Sequence, residues 1–177
     1  MPSPVGHALG GLIAGWLVAG RGAPATAVSE PHAVAWRRAA LFGGLALAPD
    51  LDLLFGTHST YTHSIGAVLI VAFAALLVTR GRRPLLALAC AAAWASHLLL
   101  DWLGADSTPP LGIMALWPVT NDFYLSPFPV FNAISRRYWL ADFYRHNTIA
   151  VLRELVVLVP IAWLAWRIAS RPLRHQP

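Results

Sequence analysis

The stretch PLLALACAAAWASHLLLDWL, residues 84–103, decides how the rest of the chain is read. Pro84 opens it behind Gly81, and at 1.5 Å per residue it is long enough to cross a bilayer. It closes on a histidine and an aspartate, His97 and Asp101. Four further apolar runs lie at about 5–20, 35–49, 64–79 and 147–169. A spanning helix needs roughly 17–25 residues, so the first three runs in the chain sit at or just below that range. They imply little tilt or a thinned bilayer. Gly43, Gly44 and Pro49 interrupt the second. No repeat at solenoid periods is present.

Composition agrees with lipid as the solvent. The 177 residues form one domain, 1–177, and are 57% hydrophobic and 12% charged, against about 25% charged in soluble domains. Mean hydropathy is +0.57. The net charge of +5 comes from 13 basic residues, all arginine and mostly in short clusters between apolar runs. Such clusters fix membrane orientation rather than track a phosphate backbone, so no nucleic-acid partner is expected. Cys90 is the only cysteine, which excludes an internal disulfide. MPSPVGHALGG lacks the basic flank of a secretory signal and is expected to be mature structure. The fold class is all-α: a membrane bundle of about five helices, with a long aromatic-rich connection before the last.

Arginine placement gives a direction. With the N-terminus outside, Arg21, Arg37, Arg38, Arg80, Arg82, Arg83, Arg167, Arg171 and Arg174 lie inside. Arg136, Arg137, Arg145 and Arg153 lie outside. Nine against four obeys the positive-inside rule. The same assignment collects seven potential ligands from four helices on the outer face. His7 begins the first helix, in a turn that Ser3 can cap with Pro4 behind it. Asp50 and Asp52 follow the second helix. His58 occupies the turn, His63 starts the third helix behind a Thr62 cap, and His97 and Asp101 end the fourth.

These residue types suit a metal centre. His97 and Asp101 are four apart and share a helix face. Pro49 ends the second helix, leaving Asp50 and Asp52 in irregular chain, free to turn toward a common point. THSTYTHS, residues 57–64, places His58 and His63 among small hydroxyls that can orient an imidazole. Taken singly, each motif is as well explained by a cap or an interfacial polar group. Together they point to His7, Asp50, Asp52, His58, His63, His97 and Asp101 as ligands of one or two divalent ions. Imidazole with carboxylate and no thiolate suits zinc, or manganese or iron. Two ions about 3.5–4 Å apart would support phosphoester hydrolysis by metal-activated water. Asp101 is then the bridging ligand, and Asp50 or Asp52 a ligand or base. A Ser64–His63 nucleophilic pair is disfavoured, because neighbours on a helix project about 100° apart.

GHALGG around His7, PDLD at 49–52, His58 with Thr62, His63 and Ser64, SHLLLD at 96–101 and GIMALWP at 112–118 together resemble the YdjM-like family of inner-membrane metal-dependent hydrolases. The likeness covers residues 6–118. It implies a bacterial or archaeal inner-membrane protein with hydrolase activity, and some members are described as binding the LexA repressor. More remotely, the order of His7, Asp50 and Asp52, His63, His97 and Asp101 is similar to zinc-dependent phospholipase C and related helical nucleases. That likeness implies His7 on one ion, His63 and His97 on the other, and Asp101 between them. The further ligands of those soluble enzymes have no counterpart at matching spacing among Asp106, Asp122, Asp142, His146 and Glu154.

Residues 104–146 are rich in Pro, Gly and aromatics. They read either as a lipid-surface anchor or as a lid, with Arg136, Arg137 and Arg145 attracting an anionic headgroup. His146 is expected to stay out of the site, and His32 and His175 to be solvated on the inner side. A membrane-bound hydrolase of a phosphoester, in a lipid or envelope precursor, is the leading reading. A metal or proton transporter would place its His and Asp near mid-bilayer. A regulator docking a soluble protein would need more than these short inner loops. Topology reporters at residues 56 and 82 are expected on opposite sides of the membrane; same-side signals would refute the helix count.

Overall fold

The computed structural model describes residues 1–20, 32–56 and 58–170. The inner placement expected for Arg21, Arg171, Arg174 and His175, and for the side chain of His32, lies outside the described residues. Five α-helices and no strands are present among them: α1 Pro4–Ala19, α2 His32–Leu47, α3 Ile65–Val78, α4 Pro84–Trp102 and α5 Phe143–Ala169. Short 3-10 segments at Ala48–Phe55 and Tyr61–His63 join α2 to α3. Two helices, α4 and α5, are long and apolar enough to cross a membrane, while α1 and α3 are apolar but shorter.

The bundle is inside out relative to a soluble one. Its centre is built from small side chains, with Ala89 and Ala93 of α4 fully buried beside Phe42. Its rim carries exposed Leu69, Ile70, Phe73 and Leu77 on α3, and Val156, Trp163 and Trp166 on α5. Lipid tails give no hydrophobic drive between helices, so close backbone approach takes over. α1 is the hub and packs on α2, α4 and α5. Its buried glycines make that possible: a Cβ on Gly11 would overlap the Phe42 carbonyl oxygen, and one on Gly15 would enter the Phe42 ring.

Local chemistry sets the helix ends. Ser3 caps α1, its hydroxyl accepting from the Gly6 N–H, with Pro4 at the first position. α2 stops at Leu47, and the chain tightens into the 3-10 segment at Ala48 and Pro49. Asp50 and Asp52 therefore lie on a helical turn rather than in the irregular chain expected. The α3 cap is Ser64, accepting from the Ala67 N–H at 3.2 Å, and not Thr62. The Thr62 hydroxyl instead donates to Asp52, and His63 sits in the turn before the helix.

The segment between α4 and α5 folds back over the α3 entrance. Met114 N–H donates to the Ser59 carbonyl, Ile65 N–H to Ala115 and Gly66 N–H to Trp117, at 2.9–3.0 Å. Gly112 makes the bend at φ +92°, where a Cβ would collide with the Tyr124 backbone. GIMALWP is thus a brace for the turn that carries His63, a role that neither the anchor nor the lid reading included.

Gly11→Ala is expected to destabilise the bundle by about 1–3 kcal/mol through overpacking. Gly44→Ala, whose Cβ would meet nothing within 4 Å, should be neutral or slightly stabilising. Thermal unfolding of both variants in detergent checks the contrast, and equal midpoints would overturn the packing account.

Candidate metal centre

Four helix ends deliver side chains to one pocket. His7 comes from the first turns of α1, and His97 and Asp101 from the last turns of α4. Asp50 and Asp52 lie beyond α2, and His63 lies just before α3. His7, His63, His97 and Asp101 are almost completely buried, and Asp52 is 6% exposed. Asp50 and His58 are half-buried at the edge.

The imidazoles are oriented from behind. His97 Nδ1 lies 2.7 Å from the Ala46 carbonyl oxygen, which only accepts, so Nδ1 carries the proton. His63 Nδ1 faces Asp52 Oδ2 at 3.1 Å, which assigns its proton there too. Both Nε2 lone pairs are then left pointing inward, as a metal ligand requires. They lie 3.0 Å from each other. Asp101 Oδ2 is 3.1 Å from His97 Nε2 and 3.3 Å from His63 Nε2. Asp50 Oδ1 is 3.6 and 3.7 Å from the same two nitrogens.

Two imidazole nitrogens and one Asp101 oxygen thus face one another, with Asp50 Oδ1 farther from the same two nitrogens. A tetrahedron with arms of about 2.0–2.1 Å, the usual zinc–nitrogen and zinc–oxygen lengths, has edges of about 3.3–3.4 Å. The separations among His63 Nε2, His97 Nε2 and Asp101 Oδ2, 3.0–3.3 Å, lie at or just below that value, and Asp50 Oδ1 lies farther out at 3.6–3.7 Å. On the far side His7 Nε2 is 3.3 Å from Asp101 Oδ1, and the His7 ring stacks on His97 with centroids 3.8 Å apart. Neither Asp101 oxygen is aligned for a hydrogen bond, and neither is His7 Nδ1. A buried carboxylate in that position needs positive charge. The donor set fits a divalent cation, with Asp101 able to face a second one through its other oxygen.

Asp52 is already committed. Its Oδ1 accepts from His58 Nδ1 at 2.9 Å, while its Oδ2 accepts from the Thr62 hydroxyl at 2.8 Å and faces His63. Burial pushes this carboxyl up, but the hydrogen bonds from His58, His63 and Thr62 outweigh it and hold Asp52 well below the usual carboxylate range. Burial alone would push the His63 imidazole down; Asp101, Asp50 and Asp52 together pull it up to about 11. The carboxylates demand a positive charge at this ring, which a proton or a metal ion can supply.

A cleft of about 1180 Å³ opens over the centre, lined by Asp50, His58, Arg136, Arg137 and His146 among others. Arg136 Nη2 is 3.4 Å from His58 Nε2. Arg145 pairs instead with Asp142 at 2.8 Å, both exposed. His146 donates through Nε2 to the Ala133 carbonyl at 2.7 Å and joins none of the His/Asp groups. Glu154, fully buried in α5, was not singled out from sequence. A lone acid inside an apolar run was the available signal.

The fold and this constellation define a helical membrane protein with a histidine–aspartate cluster at one end of its bundle. A sequence profile of the YdjM inner membrane protein family matches residues 1–173, and the chain belongs to that family. No curated protein and no solved structure matches it at a significant level.

Because the His63 value lies near 11, the imidazole of chelator-treated protein should remain doubly protonated at pH 8. Asp52→Asn, which removes one of the carboxylates beside it, should lower its titration midpoint. Histidine 15N NMR reads both, and a neutral His63 at pH 8 would contradict the charge balance described.

Proposed function

We propose that the protein is a membrane-bound, metal-dependent hydrolase that cleaves a phosphoester carried by a lipid or envelope precursor. The observation that carries this reading is the convergence of His63 Nε2, His97 Nε2 and Asp101 Oδ2 within 3.0–3.3 Å of one another, a three-ligand set that leaves a fourth position for water. His63, His97 and Asp101 would hold a divalent ion, zinc by donor type, which would lower the pKa of a bound water toward about 7 and supply positive charge for a phosphoryl oxygen.

The chain's own residues do the rest. Asp52 and the Ala46 carbonyl hold the two imidazoles in the tautomer that offers Nε2. Asp50 is the carboxylate of the cluster that lines the open cleft; it serves either as a further ligand or as the base that takes a proton from an attacking water. Arg136 and Arg137 line the same cleft and suit an anionic phosphoryl group. His7 and the second Asp101 oxygen suit a second ion, which would clamp attacking and leaving oxygens. We place the centre on the outer face, with the N-terminus out and the C-terminus in, on the arginine distribution.

Transport fits less well: Phe42, Ala89, Cys90 and Ala93 form a packed apolar core, whereas an ion path needs polar groups across the membrane.

Detergent-purified protein should retain at least one equivalent of divalent metal by elemental analysis and hydrolyse a nitrophenyl phosphoester. Chelation, His97→Ala and Asp101→Ala should each bring hydrolysis to background while helicity persists. Metal-free wild-type protein after gentle purification would sink the proposal, and metal-loaded protein inactive on mono- and diester probes would sink the hydrolase assignment. Unchanged metal content in proteoliposomes under an imposed zinc gradient would count against transport.

A further inference from the structure

Glu154 is the only acidic residue of α5 and is fully buried. A charge-bearing side chain inside an apolar spanning helix is costly and calls for a purpose. Its Oε1 accepts from the Ser3 backbone N–H at 2.8 Å, and its Oε2 accepts from the Ser3 hydroxyl. The same hydroxyl accepts from the Gly6 N–H at 3.2 Å. A carboxylate from α5 thereby closes the first turn of α1, where unsatisfied N–H groups and the helix dipole favour negative charge. The fit is tight: a Cβ on Gly6 would lie 2.6 Å from Oε2.

That turn also carries His7, whose backbone N–H donates to the Ser3 carbonyl at 3.0 Å. The three buried imidazoles differ in what holds them. His97 is fixed through Nδ1 by the Ala46 carbonyl and His63 through Nδ1 by Asp52. His7 Nδ1 has no hydrogen-bond partner. Its ring is placed by stacking on His97 and by the backbone beneath it, and Glu154 holds that backbone.

We propose that Glu154 is the positioning residue for His7, setting the depth and rotation of the first turn of α1. In this way His7 Nε2 reaches its place 3.3 Å from Asp101 Oδ1. Glu154 does for His7, through the main chain, what Asp52 does directly for His63. The inference rests on the metal-dependent reading of the site.

The test titrates the full-length protein in detergent with Co2+ and follows its visible absorption. The His7-dependent part of the spectrum is what His7→Ala removes. Glu154→Ala should weaken that part about tenfold or more, within the 10–100-fold range of residues that orient metal ligands. Glu154→Gln, which can still accept from the Ser3 N–H, should fall between. His7→Ala combined with Glu154→Ala should be no worse than His7→Ala alone, whereas a merely structural role would add further loss. Should Glu154→Ala fail to fold by circular dichroism, Glu154→Gln and Ser3→Ala carry the test. Wild-type affinity for the His7-dependent part in the folded Glu154 variants, or additive losses, overturns the proposal. So does a wild-type spectrum indifferent to His7→Ala. Absence of any Co2+ spectrum from wild type would overturn the metal reading as well.

Discussion

Two imidazole lone pairs and carboxylate oxygens face each other around one buried point, and the fold has to make that arrangement bearable. His63 Nε2 and His97 Nε2 lie 3.0 Å apart with their Nδ1 protons committed outward, so a proton or a metal ion is needed between them. Asp101 sits against both with no aligned hydrogen bond for either oxygen. In a poorly polarisable interior an unpaired carboxylate costs several kcal/mol. A positive charge at the centre converts this mutual repulsion into a cross-link between α1, α3, α4 and the end of α2. Removing one donor leaves the others unpaired, so the donors are expected to act as a unit.

The surroundings serve that requirement. Glycines on α1 let three helices approach until their ends share a pocket. Behind the pocket a second layer of acceptors fixes the rings: the Ala46 carbonyl released at the end of α2, the Asp52 carboxylate six residues further on, and a threonine hydroxyl. The 3-10 turn from Ala48 is what makes the first two available together. A continued α-helix would have tied up the Ala46 carbonyl in its own ladder. The backbone brace from residues 113–118 then holds the His63 turn against α3. Ligand geometry here is a product of chain breaks, and Pro49 and Gly112 sit at two of them.

Much of this was legible because lipid simplifies the code. Apolar run length gave the five helices with ends within a few residues, and His-x-x-x-Asp spacing gave the shared face of His97 and Asp101. The α3 cap was misplaced by two residues because Thr62 and Ser64 are both competent caps. Only the position of Asp52 decides which hydroxyl is drawn away. The brace was not legible, since its bonds are made by backbone groups and leave little pattern in side chains. The division of labour between Asp50 and Asp52 was equally hidden. Two aspartates at i and i+2 look alike in sequence, and a 3-10 turn points them to different neighbours, one toward the open cleft and one into the histidine-orienting layer.

The position of the cluster along the helices carries a last consequence. At mid-bilayer, His and Asp side chains would need a polar path to reach water, whereas Phe42, Ala89, Cys90 and Ala93 pack as an apolar core. At the helix ends the same donors sit beside an apolar floor and a cleft that Asp50 and His58 share with Arg136 and Arg137, with Arg136 reaching His58. The floor keeps the local dielectric low, which strengthens every charge interaction in the pocket. The open side admits water and an anionic group. A reaction that needs both a strong field and a water molecule would be served best at such a boundary, and Leu53, Leu140 and Phe143 give the cleft an apolar part of its lining.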